Sequence, residues 1–102
     1  MTPLAGLINL EELVLIRNEV IDITPLSGLS NLIDLSIGGN QITDISPLSG
    51  LIDLTNLRLN DNHIINIDFL SGLSNLSELS LTNNPITDWS PVDHVENVSG
   101  RP

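Results

Sequence analysis

The sequence predicts an α/β solenoid: a short arc with a parallel β-sheet on its concave face and 3₁₀ or short helical turns on its convex face. Three observations predict it. A 22-residue unit recurs four times without insertion between Pro3 and Ser90. Sliding the chain by that period superposes Leu13, Leu35, Leu57 and Leu79, then Leu15, Ile37, Leu59 and Leu81, then Asn18, Asn40, Asn62 and Asn84. The apolar residues are mostly Leu and Ile, with one Phe, one Trp and no Tyr. A fixed period of this length means that each unit supplies one layer to a stacked core, and aliphatic side chains of near-equal volume suit layers that repeat.

One domain of 102 residues follows, divided into repeats 3–24, 25–46, 47–68 and 69–90 and a half-repeat lid over 91–102. In the second repeat, Leu32-x-x-Leu35-x-Ile37 changes from a three-residue apolar spacing to strict alternation, the pattern of a short strand with one buried face. Strands are therefore expected near 12–16, 34–38, 56–60 and 78–82. Being one repeat apart, they must run parallel, joined by right-handed crossovers.

The chain turns away from the sheet at the asparagine column Asn18, Asn40, Asn62 and Asn84. A carboxamide both donates and accepts, so stacked asparagines can satisfy backbone groups inside a tight turn. Their expected role is structural. Val20/Ile23, Ile42/Ile45, Ile64/Ile67 and Ile86/Trp89 are expected to pack beneath that turn. Thr24-Pro25, Ser46-Pro47 and Ser90-Pro91, with Asp68-Phe69 in the fourth repeat, read as an N-cap followed by a residue suited to the first helical position. Asp22, Asp44, Asn66 and Asp88 lie close by and are expected to cap turn amides.

The ends differ from the middle. Leu4, Leu7, Leu10, Leu13 and Leu15 have no preceding repeat to cover them. The chain is therefore expected either to be a piece of a longer protein or to self-associate through its uncapped first repeat. At the other end, Pro91-Val92-x-x-Val95-x-x-Val98 copies the Pro-Leu-x-x-Leu-x-x-Leu opening of a repeat and reads as a lid.

The pattern L-x-x-L-x-L-x-x-N-x-I-x-D-I-x-P-L-x-G-L, carried without a gap through all four repeats, resembles the leucine-rich repeats. In its 22-residue form it is similar to the internalin-like repeats of bacterial surface proteins. The resemblance implies a concave parallel sheet, 3₁₀ turns behind it, recognition through exposed strand residues, and a cell-surface or secreted location. The helical N-terminal cap and immunoglobulin-like C-terminal module usual in internalin-like domains have no counterpart in this sequence.

Composition narrows the function. Thirteen carboxylates against Arg17, Arg58 and Arg101 give a formal charge of −10, with no Lys. Such a chain repels phosphate backbones and anionic lipid, so no nucleic acid and no membrane insertion are expected, and a protein partner with a basic segment fits better. The absence of Cys removes disulfides, thiolate metal sites and Cys nucleophiles. His63 and His94 stand more than one repeat apart, with no nucleophile in register, no phosphate loop and no paired catalytic carboxylates. Neither catalysis nor a metal or other cofactor is expected.

Partner-binding residues should lie between the core positions of the strands, on the concave face. By column these are Glu12, Asp34, Asn56 and Glu78, then Val14, Ser36, Arg58 and Ser80, then Ile16, Asn60 and Thr82, with Arg17 and Asp61 after them. The acidic first column is a solvated edge on one reading. On the other it is a docking strip for a basic segment, oriented by Arg58, Asn60 and Asp61. Val14 and Ile16 are apolar where water is expected and would meet either a partner or an N-terminal segment. The leading function is a protein–protein interaction module; the alternative is a structural spacer or part of a longer solenoid.

Overall fold

The computed structural model describes residues 11–15 and 19–100, so Leu4, Leu7, Leu10, Ile16, Arg17 and Asn18 lie outside the described residues. Five strands form one parallel sheet in chain order: β1 Glu12–Val14, β2 Asp34–Ser36, β3 Asn56–Arg58, β4 Glu78–Ser80 and β5 Asn97–Ser99. The first four are in the register set by the repeat, Leu13 beside Leu35, Leu57 and Leu79. Ladder bonds continue past the strand ends. Ile37 N donates to Arg58 O at 2.9 Å, and Gly39 N to Asn60 O at 2.9 Å. Between strands the chain makes 3₁₀ turns at Thr24–Gly28, Ser46–Leu48, Asp68–Leu70 and Ser90–Val92. Among the described residues no helix is long and apolar enough to cross a membrane.

The core is aliphatic throughout. Leu35, Ile37, Ile42, Ile45, Leu48, Leu51 and Leu54 make one fully buried layer, and Leu57, Leu59, Ile64, Ile67, Leu70, Leu73 and Leu76 make the next. Truncating one such leucine to alanine costs about 2–5 kcal/mol, because neighbouring layers cannot collapse onto the gap without losing their own packing. At the two ends the layers thin. Leu13, Leu15 and Val20 at one end, and Ile86, Trp89 and Val98 at the other, are partly buried against the core.

The lid is more than a half-repeat. It makes a 3₁₀ turn and then a fifth strand, where four strands were expected. Val98 pairs with Leu79, 19 residues earlier, instead of the 22 of the other steps. Val92 and Val95 take the buried places of Leu48 and Leu51. The three residues that carry Leu54 in a full repeat are missing, so Val98 moves from the third helical-spacing position into the sheet. Gly100, with φ of 106°, lets the chain pass the Leu81–Thr82 backbone, where a Cβ would come within 2.8 Å of Thr82 N.

The turn start also departs from expectation. Thr24, Ser46, Asp68 and Ser90 are the first 3₁₀ residues, and the N-cap positions belong to Ile23, Ile45, Ile67 and Trp89, which make no side-chain cap bond. The core needs an apolar residue at that place, so the acceptor moves one residue earlier. Asp44 Oδ1 accepts from Ser46 N at 2.9 Å, Asn66 Oδ1 from Asp68 N at 2.9 Å and Asp88 Oδ1 from Ser90 N at 3.0 Å, with Asp22 serving Thr24 in the same way. These are Asx turns, which suit a side chain two residues before the amide it caps.

Each described ladder asparagine is bonded on both sides of its amide. Asn62 Nδ2 donates to Leu59 O at 2.9 Å in its own repeat and to Ile37 O at 3.1 Å in the preceding one, while Oδ1 accepts from Ile42 N at 3.1 Å. Asn40 and Asn84 repeat the arrangement one layer to either side. The residue before each asparagine turns the chain through the left-handed region, with φ of 72° at Gly39, 60° at Asp61 and 60° at Asn83. Gly, Asp and Asn tolerate that conformation best.

Asn62→Ala should therefore cost about 2–4 kcal/mol in urea unfolding, since it leaves the buried Ile42 N–H unsatisfied and takes one of two amide donors from each of Ile37 O and Leu59 O. The exposed Asn75→Ala, losing one bond to Ile52 O, should cost less than about 1 kcal/mol. Equal losses would show that the ladder is not the main support of the turn.

Acid should act through the Asx turns. The hydroxyl and amide of Thr24 lower the Asp22 carboxyl below its ordinary value of 3.8, those of Ser90 do the same for Asp88, and the amide and hydroxyl of Ser46 for Asp44. A carboxyl lowered on folding stabilises the fold above its unfolded value and loses that contribution as pH falls through the folded one. The urea midpoint should drop below about pH 4. Asp22→Asn, Asp44→Asn and Asp88→Asn together should flatten that drop while keeping the turn, as Asn66 already does. An unchanged acid limb would place the titration elsewhere.

The concave sheet face as candidate functional site

Side chains alternate across each strand, so burying Leu35, Leu57 and Leu79 turns their neighbours outward. The first outward row runs Glu12, Asp34, Asn56, Glu78 and, from β5, Asn97. Glu12, Glu78 and Asn97 are exposed, and Asp34 and Asn56 half-buried. The second row runs Val14, Ser36, Arg58, Ser80 and Ser99 in the same register. Val14 is 56% exposed, whereas Ser36 is 6% exposed because it lies between larger side chains. Asn60 and Thr82 continue the face one row further, half-buried, and Asp61 follows them, exposed. The expected contributions of Ile16 and Arg17 lie outside the described residues.

Two polar groupings organise this face. Arg58 Nη1 lies 3.1 Å from Asp34 Oδ1, reaching diagonally from β3 to β2, with the side chains 48% and 27% exposed. An ion pair this open adds at most about 1 kcal/mol, so its effect is chiefly on where the guanidinium points. Further along, Asp61 is held from both sides. Asn60 Nδ2 donates to Oδ2 at 3.0 Å and Asn83 Nδ2 to Oδ1 at 2.6 Å. Asn60 also lies across Gly38, where a Cβ would meet its Oδ1 at 2.7 Å. Any side chain at position 38 displaces the Asn60 amide.

The curvature leaves a shallow depression of about 160 Å³ over β3, β4 and β5, lined by Asn56, Leu57, Arg58, Glu78, Leu79, Ser80, Asn97 and Ser99. Asn97 and Ser99 were not anticipated from sequence. The three-residue shortening of the last step hides their register, and only the apolar Val92, Val95 and Val98 spacing hinted at it. The histidines stand apart from this face. His94 sits against Leu73 O at 3.0 Å behind the sheet, and His63, whose N–H bonds Ile42 O, follows the turn. Among the described residues no three His, Cys, Asp or Glu side chains are placed to hold a metal ion.

The family model described as leucine rich repeats (2 copies) matches residues 4–51 and 52–94. Among solved structures, an internalin C2 from Listeria monocytogenes superposes with a TM-score of 0.96 at 46% identity, covering 99% of this chain and 46% of that one. An internalin from the same species, internalin F, gives 0.88 at 38% identity over 93% of this chain and 29% of that one. A leucine-rich repeat protein of Leptospira interrogans shares the fold at 0.82 and 23% identity, over 97% of this chain and 29% of that one. No curated protein matches the chain. The chain thus spans less than half the length of each of these three structures. Both internalins share its 3₁₀-backed parallel sheet over nearly its whole length, and the chain belongs to the leucine-rich repeat proteins, in their internalin-like bacterial form.

Proposed function

We propose that this chain is a protein-binding module, not an enzyme, and that it receives its partner on the concave sheet face. Leucine-rich repeat proteins generally mediate protein–protein interaction. The observation that carries the reading to this face is the pair of fixed polar groups on it: Arg58 tied to Asp34, and Asp61 held between Asn60 and Asn83. None of the three contacts supports the aliphatic core. Side chains already held in one geometry lose less entropy when a partner arrives, which favours binding. The partner is a protein with a basic segment, matched to the charge of −10. The internalin likeness supports a cell-surface or secreted location.

A photo-crosslinking residue at Ser80 should join the partner, whereas one at Ser49, behind the sheet, should not. With the cross-linked protein identified and purified, reversing the acidic row with Asp34→Lys and Glu78→Lys together should weaken reconstituted binding by about tenfold or more. Cross-links from Ser49 alone would move the partner behind the sheet and reject this face, and cross-links from neither position would leave the chain as a spacer in a longer solenoid.

A further inference from the structure

The depression over β3, β4 and β5 contains a carboxylate that has no ion pair among the described residues, and we propose that it seats an arginine or lysine side chain presented by the protein partner. This rests on the sheet-face reading above and specifies what that face receives. Register makes the case. Asp34, Asn56 and Glu78 are successive partners in one row, and Ser36, Arg58 and Ser80 in the next. Asp34 and Glu78 are therefore the two equivalent diagonal neighbours of Arg58. The guanidinium goes to Asp34, at 3.1 Å. Among the described residues Glu78 is left without an ion pair, exposed, with Asn56 and Asn97 beside it and Ser80 and Ser99 in the row above.

The chemistry of that lining selects the occupant. A guanidinium or ammonium carries only donors, and the carboxylate, the amide oxygens and the hydroxyls all accept. An anion is disfavoured, because the Arg58 charge is already engaged and the chain carries −10. A metal ion is disfavoured too, since one carboxylate among amides is too sparse an oxygen set. A depression of about 160 Å³ is the size of a side chain, not of a helix or a folded segment. Asp34 acts here as a positioning residue, because it keeps Arg58 from occupying Glu78.

The test is an NMR titration of the chain with acetyl-Gly-Arg-Gly-amide, its neutral citrulline counterpart and acetyl-Gly-Glu-Gly-amide. The arginine peptide should shift the side-chain amide signals of Asn56 and Asn97 and bind about 2- to 5-fold more tightly than the citrulline peptide, the range of an exposed ion pair. In Glu78→Gln, an exposed substitution that leaves the core untouched, that preference should disappear. In Asp34→Asn it should weaken, because Arg58 is freed to turn to Glu78. No saturable shift, a preference unchanged in Glu78→Gln, or tighter binding of the glutamate peptide would overturn the proposal. Failure of the sheet-face reading would look different: the arginine preference would persist while the partner cross-linked behind the sheet.

Discussion

The carboxamide of each ladder asparagine touches two repeats at once, and the placement of the sheet face depends on that. Asn62 holds carbonyls of Leu59 and Ile37 and the amide of Ile42, which belong to two successive layers. A turn closed only within its own repeat would leave adjacent layers free to rotate against each other, since aliphatic packing is non-directional. The asparagine converts stacked layers into a fixed register. The rows of outward side chains inherit that register, and a contact such as Arg58 to Asp34 forms between residues 24 apart in sequence. Stability in such a stack is nearly a sum of layer and neighbour terms, so the outward rows can vary without altering the fold.

Position 61 shows the limits of that freedom. Its carboxylate faces outward and is bonded by Asn60 and Asn83, yet its backbone occupies the left-handed turn that precedes the ladder asparagine. Gly39 and Asn83 fill the same place in neighbouring repeats. The turn therefore restricts the choice to a few residue types. Gly38 is similar in a steric sense, because its missing Cβ is what allows Asn60 to lie flat. On this face the backbone sets which residues are allowed at particular points, and the remaining positions carry the variable chemistry.

The period made the sheet, its parallel sense and the register of the first four strands readable directly, because every equivalent leucine is 22 residues from the next. The outward columns followed from alternation alone. The fifth strand did not, since its step loses three residues and Val98 fits either the third opening position or the strand. The turn caps were misplaced by one residue for a related reason. Ser-Pro is a good local start signal, but burying the preceding Ile overrides it, and the amide is taken one residue earlier by the Asp22, Asp44, Asn66 and Asp88 column, which was expected to cap turn amides. Which carboxylate Arg58 reaches for was not legible. Nothing in the spacing distinguishes Asp34 from Glu78 as the partner of Arg58, because the two are equivalent diagonals.

That choice matters because of how charge is spaced along the first row. Strands in a sheet lie about 4.8 Å apart, so Asp34 and Glu78, separated by Asn56, stand about 10 Å from each other. This is about one Debye length at physiological ionic strength, and their mutual repulsion is largely screened. Asp34 is further neutralised by Arg58. A carboxylate at 78 therefore costs the fold little, while among the described residues its own field is not cancelled by an ion-paired cation. An exposed charge in that state contributes modestly to affinity, since water still solvates it, but it acts on approach and on orientation. A basic partner would be drawn to the C-terminal half of the arc, over β3 to β5, and its binding would weaken with salt chiefly through the association rate. The amide of Asn56 thus does two things: it continues the strand row, and it keeps the second carboxylate far enough from the first to remain usable.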